Sequence, residues 1–181
     1  MQILTDEPAL ARTSRPEICA LTAAATEQAF SADWLSPDQL AANRRIVAIS
    51  GETARDAACD PDRLFAAAFD ERLVGFVIST RHGPLDLELD WLMVHPDYHG
   101  SGVATLLMET GLAWLGREQP VWLNVIRHNE RAIRFYGKFG FEIDADARTS
   151  HAVPHFIMRR MPMTVSGSSG PAMRPAPVPV R

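Results

Sequence analysis

The spacing of apolar and polar positions changes period several times along the chain, and the changes divide it. Residues 64–69 (LFAAAF) and 73–80 (LVGFVIST) are apolar runs of strand length joined by Asp70-Glu71-Arg72, which predicts a hairpin. Arg81-His82-Gly83-Pro84 reads as a turn, and residues 87–94 (LELDWLMV) as the next strand. From Val103 the period lengthens. Val103, Leu106, Leu107, Trp114 and Leu115 stand at i, i+3, i+4, i+11 and i+12, one face of a helix. Between strand and helix lie a turn, His95-Pro96-Asp97, and a glycine-bearing loop, His99-Gly100-Ser101-Gly102-Val103-Ala104.

Two helix starts precede the hairpin. Ser14-Arg15-Pro16-Glu17 and Ser36-Pro37-Asp38-Gln39 both place a serine three residues before Glu or Gln, the spacing of a capping box. The first helix should reach Phe30 and the second Ile49, with Gly51 interrupting the pattern and another helical turn within 52–60. The connection between them, residues 30–35, reads as a loop whose Trp34 caps the core. An initial strand falls at 2–4 or at 9–13, and the second placement is preferred because a helix start follows it at once.

After Gly116 and Pro120, residues 121–126 predict a strand. A helix starts at Asn129 and stops at Gly140, 141–144 is a strand, 145–154 a polar loop and 155–161 a last strand. The class is α+β (mixed α/β): one mixed sheet of about six to seven strands with helices on both faces. Residues 1–162 form a single domain. From Met163 the chain is rich in Ser, Gly and Pro, a composition that buries no core and predicts a disordered tail over 163–181.

Composition narrows the function classes modestly. The formal net charge of −4 disfavours a nucleic-acid partner and suits a cationic substrate. Cys19 and Cys59 lack metal or redox spacing, and a reducing cytoplasm is the simplest location. The first ten residues do not resemble a signal peptide, and no apolar stretch is long enough to span a bilayer. His95/His99 and His151/His155 are each four apart, but prolines at 96 and 154 interrupt a helical reading, so no metal is expected.

A strand, a glycine loop and a helix N-terminus in succession suit a phosphate: the first-turn N–H groups lack partners and the helix dipole is positive there. A Walker loop is excluded by the lack of Gly-Lys-Ser/Thr. A dinucleotide loop lacks its third glycine, because Thr105 stands there. The loop instead resembles that of the Gcn5-related N-acetyltransferase superfamily, which runs Arg or Gln, two residues, Gly, one residue, Gly or Ala. Gly102 and Ala104 match, and His99 takes the first position. A second motif of that family, Asn129 to Tyr136 followed by Lys138-Phe139-Gly140-Phe141, stands at the usual distance.

The resemblance covers roughly residues 8–162. It implies a sheet splayed between its fourth and fifth strands, with acetyl-CoA as co-substrate, no metal, and a small-molecule amine as acceptor. It also allows a homodimer. The family role implied for Gly100, Ser101, Gly102, Val103, Ala104 and Thr105 is to cradle pyrophosphate, with the side chain at His99 helping to shape the cofactor-binding loop. Leu92, Met93 and Val94 would hold the pantetheine through backbone contacts, beside a β-bulge that aims an N–H at the thioester carbonyl. Asn129 would cap its helix and contact the cofactor, and Tyr136 would assist the departing thiolate. Some relatives carry a base five residues before the motif asparagine, where this chain has Asn124. Glu88 and Asp90 are the alternative bases, and strand alternation places them on the face of Leu92 and Val94. A water chain is the third possibility. The acceptor is expected to meet residues 30–37 and 145–154. A non-catalytic acyl-CoA-binding module and an enzyme acting on a protein or peptide amine are the rival readings.

Overall fold

Both helix starts close as capping boxes. Glu17 N donates to Ser14 Oγ while Glu17 Oε2 accepts from Ser14 N at 2.8 Å, and Gln39 answers Ser36 in the same way at 3.3 and 2.9 Å. Each cap satisfies two orphan N–H groups and contributes about 1 kcal/mol. The computed structural model describes residues 1–116 and 118–162, so the predicted disorder of 163–181 lies outside the described residues.

The elements run β1 (Gln2–Thr5), α1 (Asp6–Ala11), α2 (Arg15–Phe30), α3 (Pro37–Cys59), β2 (Arg63–Asp70), β3 (Arg72–Gly83) and β4 (Asp86–Val94). After a 3₁₀ turn at Pro96–Tyr98 come α4 (Val103–Leu115), β5 (Val121–Ile126), α5 (Glu130–Gly137), β6 (Phe141–Ile143) and β7 (His155–Arg160). Three expectations about the first sixty residues need correction. The first strand lies at the earlier placement, where Gln2 to Thr5 pair antiparallel with β2, while Ala9 sits in a helix and is fully buried. α3 runs unbroken through Gly51. A Cβ there would come within 2.9 Å of the Arg15 carbonyl oxygen, so the glycine admits close contact with the start of α2 and does not end the helix. Trp34 does not cap the core: it is 60% exposed, edge-on to His128, and Leu35 is buried in its place.

The sheet order is β1-β2-β3-β4-β5-β7-β6, antiparallel except for β4 and β5. Helices cover both faces. On one, Val103, Leu107, Met108, Leu112 and Leu115 of α4 pack with Leu87, Leu89 and Val94 of β4 and with Tyr136 of α5. On the other, Ala9, Ile18, Leu21, Ala54 and Ala57 of α1 to α3 pack against Phe65, Phe76 and Ile78. Leu106, expected on the inner stripe of α4, is exposed.

Two features of β4 set up the site. Its parallel ladder with β5 is confined to Leu87↔Val121 and Glu88↔Trp122, so the two strands diverge beyond Glu88. The register against β3 also slips: Ile78 faces Trp91 but Ser79 faces Leu89, which leaves Asp90 as the extra residue of a bulge. The bulge inverts the alternation. Leu87 and Leu89 face α4, and after Asp90 it is Leu92 and Val94 that do so, while Trp91 and Met93 face the other layer. Glu88 therefore lies on the face opposite Leu92 and Val94, contrary to the unbroken alternation read from the sequence.

Candidate active site

The glycine loop is shaped by backbone conformation. Gly100 and Gly102 have φ of 84° and 92°, left-handed values that cost most residues about 1–2 kcal/mol. A Cβ on either would meet no heavy atom within 4 Å, so space lies open over the loop. Gly102 is the N-cap of α4, and the first intrahelical bond is Leu106 N to Gly102 O at 3.0 Å. The amides of Val103, Ala104 and Thr105 are thus left for an anion.

A cleft of about 910 Å³ opens where β4 and β5 part. Leu92, Met93, Val94, His99, Gly100, Gly102, Ala104, Thr105, Asn129 and Tyr136 all line it. Two loop residues do not. Ser101 turns away and donates its hydroxyl to Tyr98 O at 2.7 Å, and the Val103 side chain is buried under α4, so these two offer the site only backbone groups. Asn129 Oδ1 accepts from Ala132 N at 3.1 Å, which makes it the cap of α5. Tyr136 is only 9% exposed among Phe135 and Phe141, and burial pushes its phenol up to about 12.

Arg131, Arg134 and Lys138 of the second motif also line the cleft. Their i, i+3, i+7 spacing puts them on one helical face, a signal present in the sequence but not used there. Arg131 lies against His99, 2.6 Å from Nδ1. Burial lowers the His99 pKa first and the Arg131 charge adds to it, against a backbone hydrogen bond at Val94, so the imidazole is neutral at neutral pH. The fixed positive charge at this loop comes from α5 and not from the loop itself.

A second cavity of about 550 Å³ adjoins the cleft, and Asp90, Asn124 and His151 line both. Glu88 lines this cavity alone and is 7% exposed. Its Oε2 is 2.7 Å from His82 Nε2, and its Oε1 accepts from Asn124 Nδ2 at 3.4 Å. The amide that stands where some relatives carry a β5 carboxylate thus holds a carboxylate from β4. Asp90 pairs with Arg63 at 3.5 Å. His82, expected in a turn, belongs to β3, which continues to Gly83.

The two connections expected near the acceptor come together. Gln39 Nε2 donates to Ala152 O at 2.9 Å, and Leu35 packs with Ile126 and Val153. Arg148, Thr149 and His151 of the 145–154 loop line the smaller cavity, and Phe30 lines the cleft. His155 Nδ1 donates to Val153 O at 2.6 Å, and burial depresses its pKa to about 4. Among the described residues, no group of three or more His, Cys, Asp or Glu is placed to hold a metal, and no helix is long and apolar enough to cross a membrane.

The splayed mixed sheet thus carries an uncapped helix N-terminus at the longer cleft and a carboxylate-lined cavity beside it. The model of the acetyltransferase (GNAT) family matches residues 24–141, and the chain belongs to that family. An uncharacterized N-acetyltransferase of Mycobacterium tuberculosis is 42% identical over 88 residues, 47% of this chain and 56% of that protein. A mycothiol acetyltransferase of Acidimicrobium ferrooxidans is 32% identical over 96 residues, 50% of this chain and 31% of that protein. The chain spans about half or less of the length of these curated relatives. In fold it is similar to the PaiA N-acetyltransferase of Thermoplasma acidophilum, solved in complex with coenzyme A. The TM-score is 0.67 at 19% identity, over 89% of this chain and 99% of that one.

Proposed function

We propose that the protein transfers an acetyl group from acetyl-CoA to a primary amine of a small molecule by direct attack within a ternary complex. The carrying observation is the junction at Asp90 and Asn124, where the long cleft with its anion-binding loop meets the carboxylate-lined cavity. Three kinds of residue fit acetyl-CoA. The amides after Gly102, with Arg131, suit its pyrophosphate. The edge of β4 over Leu92 to Val94, beyond the end of the β5 ladder, suits the amides of its pantetheine. Asn129 and Tyr136 flank the same cleft.

The amine must lose a proton to attack, since a free alkylamine is mostly protonated at neutral pH. Glu88, with both oxygens oriented, is the carboxylate beside which that proton leaves. Asp90, at the junction, is placed to attract the ammonium. As the carbon–nitrogen bond forms and the carbon–sulfur bond breaks, a β4 N–H beside the bulge steadies the carbonyl oxygen. Tyr136 O–H hydrogen-bonds to the departing sulfur. Asp60, Asp62, Glu88 and Asp90 around the smaller cavity favour a cationic acceptor.

The test pairs calorimetric titration with acetyl-CoA and a thiol-release assay over an amine panel. Absence of acetyl-CoA binding removes the proposal. Tight binding without turnover on any small amine or peptide N-terminus supports a non-catalytic acyl-CoA-binding module instead.

A further inference from the structure

His82 was no part of the motif reading, and it is a closely held titratable side chain of the smaller cavity. Its side chain is only 12% exposed. The ring lies over Trp122 at 6.1 Å between centroids and 25° between planes. The Trp122 indole is itself fixed, with Nε1 donating to Asp86 Oδ1 at 2.7 Å. His82 Nε2 is 2.7 Å from Glu88 Oε2, and Asn124 holds the other Glu88 oxygen. A neutral imidazole can bond to a carboxylate at that distance only by donating, so Nε2 carries the hydrogen and the lone pair falls on Nδ1.

We propose that His82 is the group that takes the proton from the acceptor ammonium, with Glu88 as the carboxylate that orients it and stabilises the imidazolium. This rests on the acetyltransferase reading above and refines its base. A carboxylate alone is poorly matched to an amine of pKa ~10.4, whereas imidazole, with an ordinary value of ~6.5, is the better matched type of side chain. The step balances. The ammonium gives one proton to His82 Nδ1, through water in the cavity, and the free amine lone pair forms the carbon–nitrogen bond. The carbon–sulfur pair leaves with sulfur, and the imidazolium later releases its proton to solvent. The carboxylate stays ionised throughout, so the imidazolium forms beside its counter-charge.

The other charged and titratable groups around the cavity are Asp60 and Asp62 before β2, Arg63 on β2, Arg81 on β3, Asp90 on β4, and Arg148 and His151 from the β6–β7 loop. Arg63 is engaged by Asp90, and Arg81 lies over Trp114.

The experiment compares wild type and His82→Gln with methylamine, which is strongly basic, and hydrazine, which is weakly basic. Glutamine keeps a donor for Glu88 but cannot be protonated. The expected result is a loss of roughly 10- to 100-fold with methylamine at neutral pH, shrinking with hydrazine and as the pH is raised. An equal loss with both nucleophiles at every pH overturns the assignment and leaves a structural role. A nitrogen NMR titration of the wild-type imidazole needs no variant. It should show Nε2 protonated at high pH and proton uptake at Nδ1 within the range of activity, and a His82 that does not titrate there also overturns it. If wild type binds no acetyl-CoA, or releases no thiol with these probes or the amine panel, the transferase reading itself falls and this assignment with it.

Discussion

The guanidinium of Arg131 lies across the His99 ring, with its two terminal nitrogens 2.6 Å from Nδ1 and 2.7 Å from Nε2. A residue of α5 thereby reaches the loop that opens α4, thirty-two positions earlier in the chain. His99 cannot supply the permanent charge that arginine has at this loop position in relatives, and Arg131 supplies it from across the cleft.

Arg131→Ala should therefore weaken acetyl-CoA binding about 10-fold, since hydrogen bonds to charged groups are worth about 1.5–3 kcal/mol. The thermal midpoint should hardly move, because the side chain is at the cleft surface. The same change removes one of the charges that depress His99, so binding should become more pH-dependent in the mildly acid range. Calorimetry at two pH values and two salt concentrations checks both effects. An unchanged Kd at low salt excludes Arg131 from the site.

The Tyr136 phenol, raised to about 12 by burial, is a weak acid beside a thiol of ordinary pKa ~8.5. Full proton transfer to sulfur would be uphill by about 3.5 pKa units, roughly 5 kcal/mol. A hydrogen bond to the developing thiolate is the better role. Tyr136→Phe should lower kcat roughly 10- to 100-fold with acetyl-CoA affinity unchanged. The wild-type rate should show no alkaline decline from this group below about pH 11, given that raised value. Equal losses in kcat and in acetyl-CoA affinity would point to a packing role.

His155 predicts acid lability. Its folded pKa of about 4 lies below the ordinary 6.5, so the unfolded chain takes up the proton first as the pH falls. The stability this group contributes is fully present above 6.5 and is lost between 6.5 and about 4, on the order of 3 kcal/mol in all. His99 and His151, whose pKa values burial also lowers, act in the same direction. Asp144 is held low chiefly by its hydrogen bond from Arg159, and its contribution is lost only below the ordinary carboxylate range. Urea unfolding of wild type at pH 7.5, 6 and 5 should show a falling midpoint, and His155→Gln should flatten that slope. Parallel slopes would assign the acid lability to other groups.

Much of the architecture was legible because its signals are local. Ser14 with Glu17 and Ser36 with Gln39 are separated by one helical turn and close on themselves without help from the rest of the chain. The Gly100 and Gly102 loop and the Asn129 cap are of the same kind, and so the backbone geometry at that end of the cleft could be read directly. Gly51 was misread because a glycine inside a helix looks alike whether it ends the helix or admits a neighbour, and the neighbour is Arg15. His82 was missed because Gly83-Pro84 reads as a turn, although β3 runs on to Gly83 through a register shift between Arg81 and Gly83.

From residue 14 onward the local pattern carries the strand and helix order, the capped starts of α2 and α3, and the glycine loop leading into α4, since each depends on residues within a turn or two of one another. It could not determine the face of Glu88. Residues 87–94 carry no local mark of a bulge, and the one at Asp90 exists only in their pairing with β3. Only the tertiary structure turned Glu88 away from Leu92 and Val94, set it against His82 and Asn124, and brought Arg131 onto His99. Register and long-range side-chain contact are properties of two segments at once, and neither segment carries them alone.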